Sequence, residues 1–228
     1  MNTSPLHKLF WLWIPLVFIA LQIVIEFTLP RQMLSNMHSE SGPHEIAQFV
    51  IMLIAYVWSI RILIQKPWKI SPWLALWVGI AALGTLYVAG EEMSWGQHIL
   101  NWSTPEYWQN INDQGETNFH NTSSWLDQKP RLLLLVGSIV GGILIPLLLR
   151  FKPAIVPPQF TIIYPPAALG LTAALALGVN LTDKIFEATT LNGNPFFVRG
   201  SEVEELFLFY FVLMYLVVLR KRVQEQRP

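Results

Sequence analysis

Long apolar stretches alternate with short polar segments along the whole chain. A helix crosses a membrane core about 30 Å thick with roughly 20 mostly apolar residues, and six stretches approach or exceed that length. Helices are expected because each satisfies its own backbone hydrogen bonds in lipid. The pattern predicts an all-α, polytopic membrane protein, a six-helix transmembrane bundle forming one integral domain over residues 1–228. The predicted spans are residues 9–29, 45–65, 72–98, 131–150, 163–183 and 201–220.

Composition supports a membrane protein and excludes several other classes. Hydrophobic residues make up 53% of the chain and charged residues 13%, whereas soluble domains carry about 25% charged residues. The absence of Cys excludes disulfides, thiolate metal sites and a cysteine nucleophile. A formal net charge of zero gives no reason to expect a nucleic-acid partner. The first apolar stretch lacks an obvious small-residue cleavage site, so we expect a retained helix and not a signal peptide.

The distribution of Lys and Arg predicts the orientation, because cytoplasmic loops carry an excess of both. With the N-terminus inside, ten basic residues lie on the inner side: Lys8, Arg61, Lys66, Lys69, Arg150, Lys152, Arg220, Lys221, Arg222 and Arg227. Five lie on the outer side: Arg31, Lys129, Arg131, Lys184 and Arg199. We therefore expect both termini to be cytoplasmic. Every Asp and Glu except Glu225 then lies towards the outer face, where we expect the chemistry.

Several predicted helices carry polar residues near their outer ends. At a rise of 1.5 Å per residue, Glu91 and Glu26 lie at a similar level near the outer boundary. The sixth helix has a short apolar run, Leu206–Leu219, which draws Glu205 into the outer edge of the membrane. The fifth helix carries a stripe at helical spacing: Asn180, Asp183, Lys184 and Glu187. Because acids inside a membrane are costly, a polar pocket shared by these helices is the economical arrangement.

The stretch "VAGEEMSWGQHIL", residues 88–100, carries the strongest chemical signal. Paired glutamates with a nearby His suit acid–base work or a divalent cation. The alternative is a collar of solvated acids at the interface. Glu91, Ser94 and His98 share one helix face, but residues along one helix rarely supply the geometry of a catalytic triad.

The outer loop, residues 101–130, carries two further signals. In "STPE", Ser103 or Thr104 would cap a short helix, and Trp102, Tyr107 and Trp108 would place that helix in the headgroup region. The polar residues of "QGETNFHN" would point to one side if the segment were extended. Glu116 or His120 is then expected to reach the site beside Glu91, and the alternative is a solvated loop.

Three further patterns have ordinary structural interpretations. Ser201 and Glu204 in "SEVEEL" fit a capping box, which leaves Glu205 as the better functional candidate. Gly137 and Gly141 have the GxxxG spacing that suits close helix packing. His38 and His44 flank the first outer loop, where we expect them to be exposed to solvent.

The stretches "GEEMSWGQHI" and "TPEYWQNINDQGETNFHN" resemble a family of uncharacterised bacterial multi-pass membrane proteins. The family pattern is GEExSWGQ, a TPE-like turn and then QxExNxHN, and the match covers about 35 residues directly. Arg commonly follows the Gln where this chain has His98, which argues against an essential role for that His. The resemblance marks a set of site residues: Glu91, Glu92, Ser94, Trp95, Gln97, Gln114, Glu116, Asn118, His120 and Asn121.

Our leading hypothesis is a membrane enzyme, a hydrolase or transferase, acting at the outer face on a lipid or lipid-linked substrate. The predicted catalytic residues are Glu91, Glu92, Glu116 and His120. The predicted substrate-binding residues are Ser94, Trp95, Gln97, Asn118 and Asn121. A metal-assisted version uses a ligand set of Glu91, Glu92, His120 and Glu205. Oxygen-rich ligation favours Mg²⁺, Mn²⁺ or Ca²⁺, with Zn²⁺ as an alternative.

Two other classes of function stay open from the sequence. Intramembrane acids often mark ion paths, which would suit a cation- or proton-coupled transporter. The outer loop could instead dock a protein partner, which would make the chain a non-catalytic assembly subunit. The substrate, the reaction and the oligomeric state are not encoded in any of these motifs.

Overall fold

The computed structural model of this chain is mostly helical in its described part. It describes residues 6–39, 42–112, 114–189 and 194–226, without the side chains of His98, His120, Ser124, Leu126 and Asp127. Helix accounts for 81% of the chain, and the described ranges contain no strands. The predicted all-α class is therefore confirmed.

Ten α-helices follow one another along the described chain. The first five are α1 (Ile14–Thr28), α2 (Arg31–Met37), α3 (Pro43–Leu63), α4 (Pro72–Glu92) and α5 (Gln97–Leu100). The others are α6 (Glu106–Ile111), α7 (Ser124–Ile139), α8 (Ile145–Phe151), α9 (Gly170–Thr189) and α10 (Gly200–Glu225). A π-helical turn, Leu9–Trp13, precedes α1, and a second one, Val140–Leu144, joins α7 to α8 in one rod.

Five of these helical rods are long and apolar enough to cross a membrane: Leu9–Thr28, Pro43–Leu63, Pro72–Glu92, Gln128–Phe151 and Ala167–Thr189. Their outward surfaces carry large apolar side chains, such as Leu83 at 72% exposed and Leu133 at 74% exposed. A soluble protein rarely exposes apolar surface on this scale, whereas lipid accepts it. The chain is thus a multi-pass membrane protein.

Helix α10 lies at the centre of the bundle and packs against α3 and α9. Its side chains are buried around its whole circumference, including Phe207, Leu208 and Leu216. A helix that is hydrophobic all round is expected in such a core position. Helix α10 is not one of the five candidate spans because its uncharged apolar stretch is too short. Charged residues limit that stretch at both ends, at Glu205 and Arg220.

Two predicted span boundaries are wrong. The third predicted helix extends to residue 98, but α4 ends at Glu92 because Ser94 and Trp95 adopt left-handed backbone with φ of 45° and 55°. The fifth predicted helix starts at residue 163, but short 3₁₀ turns occupy this stretch and α9 begins at Gly170. Pro165 and Pro166 account for the delay, because proline supplies no backbone donor to a helix.

The predicted capping and GxxxG contacts also differ from the structure. Helix α10 begins at Gly200 without a side-chain cap, so Ser201 and Glu204 form no capping box. Helix α6 likewise begins after Pro105 without a side-chain cap from Ser103 or Thr104. In the fourth rod, the close contacts are made at Gly141 and Gly142, whereas no heavy atom lies within 4 Å of a Cβ built on Gly137.

Candidate functional site

The segment after α4 turns back sharply, and three residues of "GEEMSWG" explain the turn. A Cβ built on Gly90 would lie 2.8 Å from the Trp95 ring, so only glycine leaves room for that ring against α4. The Trp95 Nε1 donates to Oε1 of Glu91 at 2.6 Å. Gly96 follows with φ of 101°, a conformation that favours glycine. Much of the motif therefore has a structural purpose, which is to end α4 and reverse the chain.

A buried polar cluster joins the reversed segment to the "QGETNFHN" segment. Ser94 Oγ donates to Oε2 of Glu116 at 2.5 Å. Asn118 Nδ2 contacts Ser94 Oγ at 2.9 Å and donates to Glu116 Oε2 at 2.7 Å. The exposed fractions of Ser94, Glu116 and Asn118 are 1%, 6% and 0%. Buried polar groups need partners of this kind, so the cluster fixes the second segment to the first.

Two further groups of α4 and its turn hold the backbone of the same segment. Gln97 Oε1 accepts from both the backbone N and the Oγ1 of Thr117, each at 2.8 Å. Glu91 Oε2 accepts from the backbone N of Phe119 at 2.7 Å. Asn121 Nδ2 donates to Gln114 Oε1, which closes the segment on itself. We call residues 114–121 the roof segment.

A cavity of about 180 Å³ lies at the end of the bundle where α4 ends and α3, α7 and α10 begin, which we call the polar end. Its walls come from four helices, the roof segment and the turn before α10. The lining residues are Glu45, Tyr87, Val88, Glu91, Glu92, Gln114, Asn121, Pro130, Arg131, Leu134, Arg199, Ser201, Glu202, Glu205 and Phe209. Distant parts of the chain thus deliver five carboxylates and two guanidinium groups to one cavity.

Two carboxylates on α10 are held by arginines and by an amide. Arg131 Nη1 donates to Glu205 Oε1 at 3.1 Å, and Arg199 Nη2 lies 3.4 Å from Glu202 Oε1. Gln48 Nε2, fully buried on α3, lies 3.3 Å from Glu202 Oε2 and 3.4 Å from Glu205 Oε2. These contacts fix the positions of both acids on the α10 wall.

Glu92 differs from the other residues of its motif. Its neighbours Gly90, Glu91, Ser94 and Gln97 are all used in the turn or in holding the roof segment. Among the described residues, no hydrogen bond or ion pair engages the Glu92 carboxylate, although it lines the cavity. It faces a space that also contains the carboxylates of Glu45, Glu202 and Glu205. Glu92 therefore differs from Glu91, whose carboxylate accepts two hydrogen bonds.

The structure separates the predicted site residues into two groups. Glu91, Glu92, Glu205 and Asn121 line the cavity, together with Gln114. The remaining described candidates do not appear in the lining: Ser94, Trp95, Gln97, Glu116 and Asn118. Their hydrogen bonds instead hold the turn and the roof segment. The side chain of the predicted residue His120 lies outside the described part, as does that of His98.

The predicted metal ligands do not form a metal-holding group among the described side chains. No group of three or more His, Asp or Glu residues is placed to hold an ion in that part of the molecule. Glu91 already accepts two hydrogen bonds, and one oxygen of Glu205 faces the Arg131 guanidinium. A cation near that guanidinium would be repelled by it.

The predicted site set omits four charged residues that line the cavity: Glu45, Arg131, Arg199 and Glu202. Glu45 lies in the first turn of α3, where an acid has an ordinary explanation in the helix dipole. The two arginines carry a usable signal, because they fall on the predicted outer side, against the general bias of basic residues. That signal indicates a site only when the arginines are considered together with the acids on the same side.

Other polar residues at the polar end form separate clusters. Glu26 Oε1 accepts from Gln22 Nε2 at 3.0 Å and lies 3.3 Å from His38 Nε2. The expectation of exposed histidines is wrong, because His38 and His44 are 0% and 4% exposed and their rings stack at 4.4 Å. The short helix α2 follows α1 directly and forms part of the connection that brings His38 back against Glu26. The prediction treated this connection as an exposed loop and therefore did not include the contact.

The polar residues predicted to form one stripe on the fifth helix make two separate sets of contacts. Asn180 Nδ2 donates to Glu204 Oε2 at 3.0 Å, so this end faces α10. Lys184 and Glu187 pair with each other at 2.8 Å and are about two-thirds exposed. Neither half of the stripe lines the cavity.

No family model, no curated protein and no solved structure matches this chain. The resemblance to a bacterial membrane family therefore stays a prediction from the two motifs.

Proposed function

We propose that this chain is an integral membrane enzyme, a hydrolase or transferase, that acts by acid–base chemistry on the headgroup of a lipid or lipid-linked substrate. In this proposal α10 is a sixth span, the polar end faces outwards in a bacterial inner membrane, and both termini are cytoplasmic. The short helix α6 lies in the headgroup region. The observation that carries the proposal is the roofed cavity in which Glu92 meets Glu45, Glu202 and Glu205.

Each part of the cavity has a role in this chemistry. The Glu92 carboxylate takes a proton from, or gives one to, the reacting group of the headgroup. Arg131 and Arg199 present N–H donors that are fixed in place by Glu205 and Glu202, and they orient the polar part of the substrate. The roof segment limits access of bulk water to the reacting atoms. Glu91 positions the roof segment by holding the Phe119 backbone.

The observations favour this version over the two nearest alternatives. A metal-assisted version through Glu91, Glu92, Glu205 and His120 is weakened by the guanidinium that faces Glu205. Elemental analysis of the purified protein tests that version directly. A transporter needs polar residues beyond the cavity, whereas the core beneath it contains buried apolar side chains such as Met52, Val78 and Leu208.

The experiment compares Glu92→Gln with Glu106→Gln, an identical chemical change at an exposed residue outside the cavity. Each variant is expressed in cells that lack the protein, and membrane lipids are analysed by mass spectrometry. We expect the wild type and Glu106→Gln to shift the lipid profile equally and Glu92→Gln to leave it unshifted. A Glu92→Gln variant that is inserted, folded and as effective as the wild type would refute the proposal.

A further inference from the structure

The roof segment restricts access to the cavity from the polar end. Gln114 and Asn121 both line the cavity and are hydrogen bonded to each other. The buried Ser94–Glu116–Asn118 cluster and the Glu91–Phe119 contact hold this segment down on α4. A ligand approaching from the aqueous side would have to displace these bonds.

Contacts between α4 and α7, the two helices that flank the cavity, are sparse in the described part of the chain. Helix α4 packs mainly against α3, while α7 packs against α9, and no extended contact joins α4 to α7 in the described chain. The cavity occupies the space between these two helices, and Phe209 of the central α10 lies on its lining. Both helices expose large apolar side chains, Leu83 on α4 and Leu133 on α7, which indicates that lipid surrounds them.

Polar and apolar residues are separated along the cavity. Helix α4 places Tyr87 and Val88 one turn before Glu91 and Glu92, and α7 places Leu134 one turn after Arg131. One turn corresponds to about 5.4 Å along a helix. Because α4 ends and α7 begins at the polar end, the apolar residues on both walls lie on the side of the membrane centre. The cavity therefore matches an amphiphile, with its headgroup at the polar end and its chain below.

We propose that the cavity receives its lipid sideways from the bilayer, through a slot between α4 and α7. The headgroup lies against Glu92 and the two arginines. One hydrocarbon chain occupies the slot along Tyr87, Val88 and Leu134 and continues into the surrounding lipid. This inference rests on the proposed function for the fate of the headgroup, but occupancy of the slot can be measured without any reaction.

The test uses the absence of cysteine from the chain. Val88→Cys and Leu134→Cys are prepared separately, labelled with a small thiol-reactive fluorophore and placed in vesicles of phosphatidylethanolamine and phosphatidylglycerol with brominated chains. Leu83→Cys, on the exposed face of α4, is the lipid-contact control, and Ser103→Cys is the aqueous control. Only labelled protein that elutes as the wild type does is analysed, and the two slot positions serve as independent probes.

We expect the brominated chains to quench both slot positions as they quench Leu83→Cys, and added iodide to leave both unquenched. Quenching by iodide at the level of Ser103→Cys would overturn the inference, because the slot would then hold water. Absence of quenching by either agent would also overturn it, because the slot would be closed. The measurement is repeated with the Glu92→Gln change added to each slot variant. The slot should stay filled with lipid in these proteins whether or not Glu92→Gln abolishes function. Quenching therefore tests entry from the bilayer separately from the proposed reaction.

Discussion

Ser94 Oγ donates a hydrogen bond of 2.5 Å to Oε2 of Glu116, a residue 22 positions further along the chain. Both side chains are buried, and Asn118 contacts both of them. This contact joins the two sequence motifs, which would otherwise be separate surface features. The motifs together form the roof of a cavity, and the acid that is left over, Glu92, faces the space beneath it.

Removal of the Ser94 hydroxyl should loosen the roof segment. Ser94→Ala leaves the buried carboxylate of Glu116 without one of its donors, and such a loss costs about 1–3 kcal/mol of unfolding free energy. Unfolding in detergent, followed by circular dichroism, measures the change. Ser103→Ala is the matched control at an exposed position and should leave the unfolding free energy near that of the wild type. Equal stability of the two variants would contradict the assigned role of Ser94.

The glycines of the fourth rod should respond in opposite directions to alanine. A Cβ at Gly142 would lie 2.8 Å from the Phe211 ring and 2.9 Å from the Ala173 Cβ, so Gly142→Ala should destabilise by about 1–3 kcal/mol. Gly137→Ala meets no neighbour and should be neutral or stabilise by up to about 1 kcal/mol. Thermal unfolding of the two variants in the same detergent makes the comparison. Destabilisation by Gly137→Ala alone would instead support packing through the GxxxG spacing.

The ion pair between Arg131 and Glu205 should show energetic coupling. Arg131→Gln leaves Glu205 among other carboxylates, and the loss of a charge-assisted hydrogen bond costs about 1.5–3 kcal/mol. The double variant Arg131→Gln/Glu205→Gln should recover part of that loss, because it removes the uncompensated charge as well. Lys129→Gln is the control at a nearby exposed residue. Strict additivity of the two single changes would show that the pair does not interact.

Single cysteines should report the orientation and the sixth span. Ser103→Cys is expected on the outer side, whereas Lys152→Cys and Gln224→Cys are expected on the inner side. A membrane-impermeant thiol reagent added to intact spheroplasts should therefore label only Ser103→Cys. All three positions are exposed in the protein, so permeabilised cells should show labelling at each. Labelling of Gln224→Cys in intact spheroplasts would show that α10 does not cross the membrane as proposed.

The length of the apolar stretches predicted the positions of most helices well. It did not predict which polar side chains contact one another. The starts and ends of most spans agree within a few residues because long apolar stretches have few alternatives in lipid. Helical rise also predicted that Glu91, Glu205 and Glu26 lie near the same end of the bundle. The helix face on which each acid lies was not predicted, and Glu26 consequently belongs to a separate cluster with His38.

The role of each residue in the motif was harder to predict than the existence of the motif itself. The side chains of Ser94, Gln97 and Asn118 suggested substrate contacts, because polar residues beside paired acids are common in active sites. The left-handed backbone at Ser94 and Trp95 could not be predicted from a sequence that continues a helical pattern. Once the chain reverses there, Ser94 and Gln97 lie inside the turn and bind Glu116, Asn118 and Thr117 of the roof segment. Among the described residues, Glu92 is the acid of the motif that takes no part in these contacts, and it lines the cavity.

Cross-linking between α4 and α10 tests the convergence of acids most directly. Glu92→Cys/Glu205→Cys is treated with a short bis-thiol reagent, and the joined peptides are identified by mass spectrometry, with Glu92→Cys/Glu187→Cys as the control. Glu187 is exposed on α9 and does not line the cavity. Linkage of the first pair and not of the control is the predicted result. If the first pair stays unlinked while both positions react singly with the reagent, the two carboxylates do not share a cavity and the proposed site is contradicted.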